Sequence, residues 1–193
     1  MIRLNTILHN PYHGGGNLQI VNDGGTLVFH GKANIATGCR VMVYDEGVIH
    51  FGANVLINSC CNFGCQKEIV IGNNAIFASG VCVYDTNFHY LYSFKTRSVK
   101  NICSPVRIGD DVWIGTRCYI SKGTILPNGC TLGANTIISR PIEGDIQENS
   151  IIIGNPAKVV ANGYTMIRGA WEWELMQRFR NITDKEIFID YQG

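Results

Sequence analysis

The amino-acid sequence predicts an all-β chain wound as a parallel coil of short strands, and three observations carry that expectation. The first is a six-residue period. Counted from Ile108, the chain divides into IGDDVW, IGTRCY, ISKGTI, LPNGCT, LGANTI and ISRPIE, so an aliphatic residue recurs at Ile108, Ile114, Ile120, Leu126, Leu132 and Ile138. The second is the same period upstream with interruptions: FHGKAN and IATGCR, FGANVL and INSCCN, IGNNAI and FASGVC, the phase being lost and recovered near 43–50, 63–70 and 84–107. The third is the fifth hexad position, which holds Ala33, Cys39, Val55, Cys61, Ala75, Val81, Val112, Cys118, Thr124, Cys130 and Thr136, all of small to moderate size. A helix repeats its apolar residues at three and four, a plain strand at two, and six fits neither. It fits short strands stacked turn upon turn, the first position pointing inward, the fifth filling the taper, and Gly, Ala, Asn or Asp serving the corner between them.

Composition sets the limits around this frame. A chain of 193 residues with 46% hydrophobic residues is enough for one domain with a continuous core. Sixteen Lys and Arg against fifteen Asp and Glu leave a net charge of +1, which gives no global electrostatic grip on nucleic acid or an anionic membrane. Any anionic ligand is then held locally. The opening MIRLNTILHNPYHGGG lacks the apolar run of a signal segment, and no later run is apolar over a bilayer-spanning length. The expectation is a soluble, cytoplasmic protein without membrane insertion. Of eight cysteines, Cys39, Cys61, Cys118 and Cys130 fall in the small inward slot, where a reduced thiol acts as a small hydrophobe. Cys60, Cys61 and Cys65 do not form the paired CxxC spacing of a structural zinc site, so no metal is expected.

These hexads, together with IGDDVWIG and the closing IIIGNPAKVV, resemble the hexapeptide-repeat acyltransferases, in particular the sugar O-acetyltransferase branch that includes maltose, galactoside and colanic-acid acetyltransferases. The resemblance covers about residues 27–160 and implies a left-handed parallel β-helix of triangular section, with about three hexads per turn. The expected organisation is an N-terminal segment and irregular first coil over 1–26, the β-helix over 27–160 with an inserted loop at 84–107, and a tail over 161–193. In the tail, AWEWELMQRFRNI sets Trp171, Leu175, Arg178 and Phe179 at helical spacing. That pattern predicts an amphipathic helix, expected to cover the open end of the coil.

A regular coil is scaffold, so chemistry is expected where the period breaks. The largest break runs from Val83 to Gly109 and holds Asp85, Asn87, His89, Tyr90, Tyr92, Lys95 and Arg97. In the family branch, a His at the mouth of such a loop, just before IGxxVWIG, is the catalytic base, and His89 stands there. The task suits imidazole, which titrates near neutral pH and can take the proton of an attacking hydroxyl. Direct attack on the thioester of acetyl-coenzyme A within a ternary complex needs no covalent enzyme intermediate. The second imidazole nitrogen needs a partner, with Asp85 and a backbone carbonyl as alternatives. A nucleophilic cysteine is the mechanistic rival, Cys82 and Cys103 lying nearest the loop.

The resemblance implies further site residues. Asn62-Phe63 matches an Asn-Phe pair at the acceptor site, though Asn62 reads equally as a corner residue. Asp85 and Asn87 are further acceptor candidates. For the donor, the family lays the pantetheine arm of coenzyme A in a groove between subunits of a homotrimer. The motif match assigns Trp113, Gly115 and Thr116 to its wall, Gly133 and Ala134 one coil onward, and Ser139 beside them. Trp113 reads also as a trimer contact. Arg140 and Lys158 are candidates for the phosphates or are simply solvated cations. Two other functions stand against a saccharide O-acetyltransferase. A non-catalytic binding or structural solenoid would be indifferent to the loss of His89. A metal-dependent carbonic anhydrase on this scaffold needs three histidines at one metal, whereas His9, His13, His30 and His50 all lie upstream of the loop.

Overall fold

The computed structural model describes residues 2–6, 16–180 and 186–191. It is a parallel β-solenoid with three faces. Face A stacks β1 (Ile2–Thr6), β4 (Ala33–Ala36), β7 (Val55–Ile57), β10 (Ile76–Phe77), β15 (Trp113–Ile114), β18 (Thr131–Leu132), β20 (Ile151–Ile153) and β21 (Lys158–Ala161). Face B stacks β2 (Gln19–Asp23), β5 (Arg40–Tyr44), β8 (Asn62–Cys65), β11 (Cys82–Tyr84), β16 (Tyr119–Ile120) and β19 (Ile137–Ile138). Face C stacks β3 (Thr26–Phe29), β6 (Val48–Phe51), β9 (Glu68–Ile71), β14 (Val106–Ile108) and β17 (Ile125–Leu126). A first coil lies within residues 1–26: β2 pairs with β5 residue for residue, and β1 pairs with β4 with a register shift between Leu4 and Thr6.

The hexad grammar is physical. First-position residues Ile108, Ile114, Ile120, Leu126, Leu132 and Ile138 are all within 2% of complete burial, and every fifth-position residue from Ala33 to Thr136 is buried. Thr124 and Thr136 occupy that apolar slot by donating their hydroxyls back across the turn, to Ser121 O at 2.7 Å and Gly133 O at 2.6 Å. Down the axis, Phe51, Phe63 and Phe77 meet edge to face with ring centroids 5.9 and 5.4 Å apart. Fourth-position residues take the left-handed conformation at the corner, among them Asn54, Asn74, Asp111 and Asn135 with φ between 56 and 59°, which Asn and Asp tolerate better than bulkier residues. Second-position glycines answer a different constraint. A Cβ on Gly52 would stand 2.5 Å from the Gly72 backbone, and one on Gly72 2.5 Å from that of Gly109, so glycine sets the coil-to-coil spacing at the C–A corner.

Two departures position the site. Residues 85–105 leave the coil after β11 on face B and return at β14 on face C, carrying a small antiparallel hairpin of β12 (Tyr92–Ser93) and β13 (Ser98–Val99). At the other end, the chain reverses at Asn155–Pro156 and lays β21 antiparallel on β20. That reversal, rather than the C-terminal helix, covers the last strand of face A. The helix α1 (Ala170–Arg180) exists as expected, but none of its residues is buried. Its entry is pinned to the side of the solenoid by Arg168, whose guanidinium donates to Asn74 O at the C–A corner, so the expectation of a cap over the open end is corrected. All eight cysteines are free thiols; Cys39, Cys61, Cys65, Cys118 and Cys130 are buried. Burial pushes the thiols of Cys65, Cys118 and Cys130 upward.

Candidate active site

The loop that carries His89 is built on a buried carboxylate. Asp85 is completely buried and accepts from the backbone N–H groups of Gln66 at 2.9 Å, Lys67 at 2.7 Å and Glu68 at 2.7 Å, and from the Cys65 thiol at 3.3 Å. It welds the loop's first residue to the turn of the preceding coil. This corrects two expectations: Asp85 neither orients His89 nor meets an acceptor, because its oxygens are spent inside the scaffold. The two ends of the loop then close antiparallel, with Ser104 N donating to Asp85 O at 2.9 Å and Asn87 N to Ile102 O at 3.1 Å.

On that base, Asn87, Phe88 and His89 form a three-residue turn. His89 N donates to Asn87 O at 2.7 Å around Phe88, which has φ of 60°, a conformation that costs a bulky residue energy unless its surroundings enforce it. They do so here. Phe88 N donates to Thr86 Oγ1 at 3.0 Å, and the Phe88 ring meets Tyr44 and Tyr84 edge-on at 6.2 and 5.8 Å. Gly64 makes the room, since a Cβ there would come within 2.6 Å of the Tyr84 ring and 2.9 Å of the Phe88 ring. Burial, with the Cys82 thiol beside it, pushes the Tyr84 phenol up to about 12, so it remains a neutral wall. His89 emerges exposed from this turn.

His89 lines two cavities, and a third adjoins them through Asn87. One of about 420 Å³ lies beneath the hairpin and is lined by His89, Leu91, Tyr92, Lys100 and Lys122, among others. A shallower one of about 510 Å³ joins His89 to Tyr84, Phe88 and Tyr119. The third, about 590 Å³, continues along the B–C corner past Tyr119 and Lys122 to Ser139, Arg140, Pro141 and Ile142. Asn87 lines all three. Volumes of this size are those of small-molecule sites, roughly 300–1,000 Å³.

Thus the chain brings His89, Asn87, Ser139 and Arg140 to one corner. Lys158 joins through Glu143, which bonds Arg140 at 2.6 Å and Lys158 at 2.9 Å; the two cations hold its carboxyl below the usual value, Lys158 most. Phe63 is not an acceptor residue, because its ring is fully buried in the core. Asn62 lies on the outside of face B beside Cys82, with its amide donating to Cys60 O at 3.2 Å, and lines none of the three cavities. The residues expected at the donor wall are elsewhere: Trp113 stands 43% exposed on face A, Gly115 and Thr116 at the corner following it, Gly133 and Ala134 one coil on. Gly115 and Gly133 also have a scaffold reason, for a Cβ on either would stand 2.7 and 2.5 Å from the next coil.

Several lining residues escaped the sequence reading. Tyr119 and Lys122 sit at ordinary outward hexad positions, and nothing in the period marks them. Pro141, Ile142 and Ile146 belong to a second break in the hexads, 139–149, at the same corner as the first; that shared corner was the available signal. Of the histidines, His30 and His50 hydrogen-bond each other at 3.1 Å on face C, while His9 and His13 lie outside the described residues. Among the described residues no three His, Cys, Asp or Glu are grouped to hold a metal.

Comparison with known proteins decides the family. Residues 105–140 match the family model described as the hexapeptide repeat of succinyl-transferase. The Escherichia coli (strain K12) protein WbbJ, named for O-acetyl transfer in lipopolysaccharide biosynthesis, is 30% identical over 160 residues, 79% of each chain. This chain belongs to the hexapeptide-repeat O-acetyltransferases. The galactoside O-acetyltransferase of the same organism is 27% identical over 112 residues, 58% of this chain and 53% of that one. The polysialic acid O-acetyltransferase OatWY shares the fold, with a TM-score of 0.55 at 21% identity over 85% of this acetyltransferase and 79% of that chain. The solenoid is therefore the left-handed β-helix of this family, and the enzyme is an acyltransferase.

Proposed function

We propose that the enzyme moves an acetyl group from acetyl-coenzyme A to a saccharide hydroxyl, with His89 as general base. The observation that carries this reading is an exposed imidazole, its backbone held by a strained turn, in the lining of two adjoining cavities. The acceptor oxygen attacks the thioester carbonyl, the new C–O ester bond forms and the C–S bond breaks. The hydroxyl proton passes to His89 and from it to the departing sulfur of coenzyme A. Asn87, shared by all cavities, and the backbone of the turn are placed to orient the reacting groups. A saccharide acceptor agrees with the names of relatives that act on galactosides and serve lipopolysaccharide biosynthesis.

The active unit in this reading is a homotrimer. Trp113 and its neighbours lie on face A and its following corner, whereas His89, Ser139 and Arg140 gather at the B–C corner. A donor groove using both sets is complete only when face A of one subunit meets the B–C corner of another. No helix among the described residues is long and apolar enough to cross a membrane, and a cytoplasmic site of action suits an enzyme using acetyl-coenzyme A. The test is release of coenzyme A, followed by thiol detection with saccharide acceptors. His89→Gln is expected to lose a factor of about 10²–10⁴ in kcat while keeping the unfolding temperature of the parent. Unchanged turnover would leave a non-catalytic solenoid as the better reading.

A further inference from the structure

The near balance of charge over the whole chain does not hold around His89. Between Thr86 and Gly109 the sequence carries Lys95, Arg97, Lys100 and Arg107 and not one Asp or Glu. Arg107 is paired with Glu68 at 2.6 Å on face C. The others have no carboxylate partner among the described residues. The cavities repeat the asymmetry at closer range, for none of the three is lined by an acidic side chain, while Lys100, Lys122 and Arg140 line them.

These three cations differ in standing. Arg140 is satisfied by Glu143. Lys122 is half-buried, and its ammonium donates to Asn101 O at 2.8 Å. That bond fixes it in the wall common to the cavity beneath the hairpin and the one along the B–C corner, and two of its three N–H donors remain for a ligand. Lys100 lines the cavity beneath the hairpin together with His89. The one carboxylate at the base of this loop, Asp85, is buried and saturated by three backbone N–H groups, so it does not dilute the field. A concave site with low-dielectric walls and charge of one sign concentrates ligands of the other sign.

An anion at this place has two possible owners, donor and acceptor. In coenzyme A the diphosphate is separated from the reacting sulfur by the whole pantetheine arm. When the thioester carbonyl is at His89, the phosphates are therefore elsewhere, and cations sharing a cavity with the base meet the acceptor. The rest of that cavity suits a sugar: the Tyr92 ring offers a flat apolar face, and Ser93, Thr96 and Ser98 offer hydroxyls.

Resting on the acetyltransferase reading, we infer that the acceptor is an acidic saccharide, whose carboxylate or phosphate is held by Lys100 and Lys122 while a neighbouring hydroxyl faces His89. Such charge-assisted hydrogen bonds are strong enough to govern selection between acidic and neutral sugars. The transfer chemistry is unchanged; only the anchoring of the acceptor is specified.

The experiment uses the full-length enzyme, acetyl-coenzyme A and a panel pairing neutral, carboxylated and phosphorylated forms of the same sugars, beginning with galactose, galacturonate and galactose 1-phosphate. Coenzyme A release gives kcat and KM for each. The expected result is a kcat/KM at least about tenfold higher for an acidic member than for its neutral counterpart, falling toward parity at high salt. Lys122→Met and Lys100→Met are expected to erase most of that preference through KM for the acidic acceptor, and in Lys100→Met, whose side chain does not line the cavity of Ser139 and Arg140, KM for acetyl-coenzyme A tracks the parent. The carboxylated and phosphorylated arms distinguish which anion is read. Equal use of neutral and acidic members, or lysine variants that leave the preference intact, would overturn the inference while leaving acetyl transfer standing. Absence of His89-dependent coenzyme A release with every member would instead overturn the enzyme reading beneath it.

Discussion

Replacing Asp85 with Ala removes the acceptor of three backbone N–H groups in a closed corner, where each unsatisfied donor costs about 1–3 kcal/mol. Urea unfolding of D85A is expected to show a loss of at least about 3 kcal/mol, and D85N a large share of it, because its amide nitrogen turns a donor toward donors. A residue that merely oriented the imidazole would leave stability intact. Gly64→Ala should behave in the opposite way. The new Cβ presses the Tyr84 and Phe88 rings, which can yield outward, but the Phe88 turn then releases His89 from its place. Turnover is expected to fall about tenfold or more, as misplacement by about 1 Å suffices for that, with the unfolding midpoint changed by less than in D85A. At this scale the sequence singled out His89 by its place in the loop and was silent on what holds that loop. Position within a motif is what proposes His89 as the base, but Asp85 and Gly64 act through burial and close approach, which a linear string does not display. Asp85 even misleads, since a carboxylate four residues before a candidate catalytic His reads as its partner.

At the scale of elements, the six-residue period translated almost without loss into strands, because each hexad is one strand and one corner and every inward side chain meets its counterpart in the next coil. What failed to translate was the tail. An amphipathic pattern at Trp171, Leu175, Arg178 and Phe179 reports a helix, yet says nothing of what the helix lies against. In the structure β21 covers the end of face A, and α1 stays on the surface with Trp173 62% and Met176 41% exposed. A chain ending after Arg168, which keeps the contact to Asn74 O, is therefore expected to retain the parent's thermal midpoint to within a few degrees, read by circular dichroism. Extending the truncation through β21 strips the antiparallel cover from β20 and leaves an edge that can pair with another chain. That variant should aggregate, seen as a rise in light scattering well below the parent's midpoint.

At the scale of the whole molecule, the separation of Trp113 from His89 becomes the central fact. A single triangular coil cannot turn face A toward its own B–C corner, so residues the family motif places at one donor site stand apart in one chain. Assembly resolves this if each site draws His89 from one subunit and Trp113 from its neighbour. Two inactive variants, His89→Ala and Trp113→Ala, should then rescue each other. Neither homotrimer has a complete site, yet in a mixed trimer some interfaces pair an intact His89 with an intact Trp113. Equal amounts of the two chains, separately tagged, unfolded together, refolded and purified through both tags, are expected to recover about a third of parental activity per chain, because a trimer holding both chains pairs an intact His89 with an intact Trp113 at one of its three interfaces. The altered chains refolded apart should recover none. Activity that stays absent in the doubly tagged trimer would mean that both residues serve the same subunit's site, and a mixed species that never forms would remove the trimer itself. The arithmetic favours the experiment, because a site within one subunit carries one lesion in every copy, and no mixing of such chains restores it.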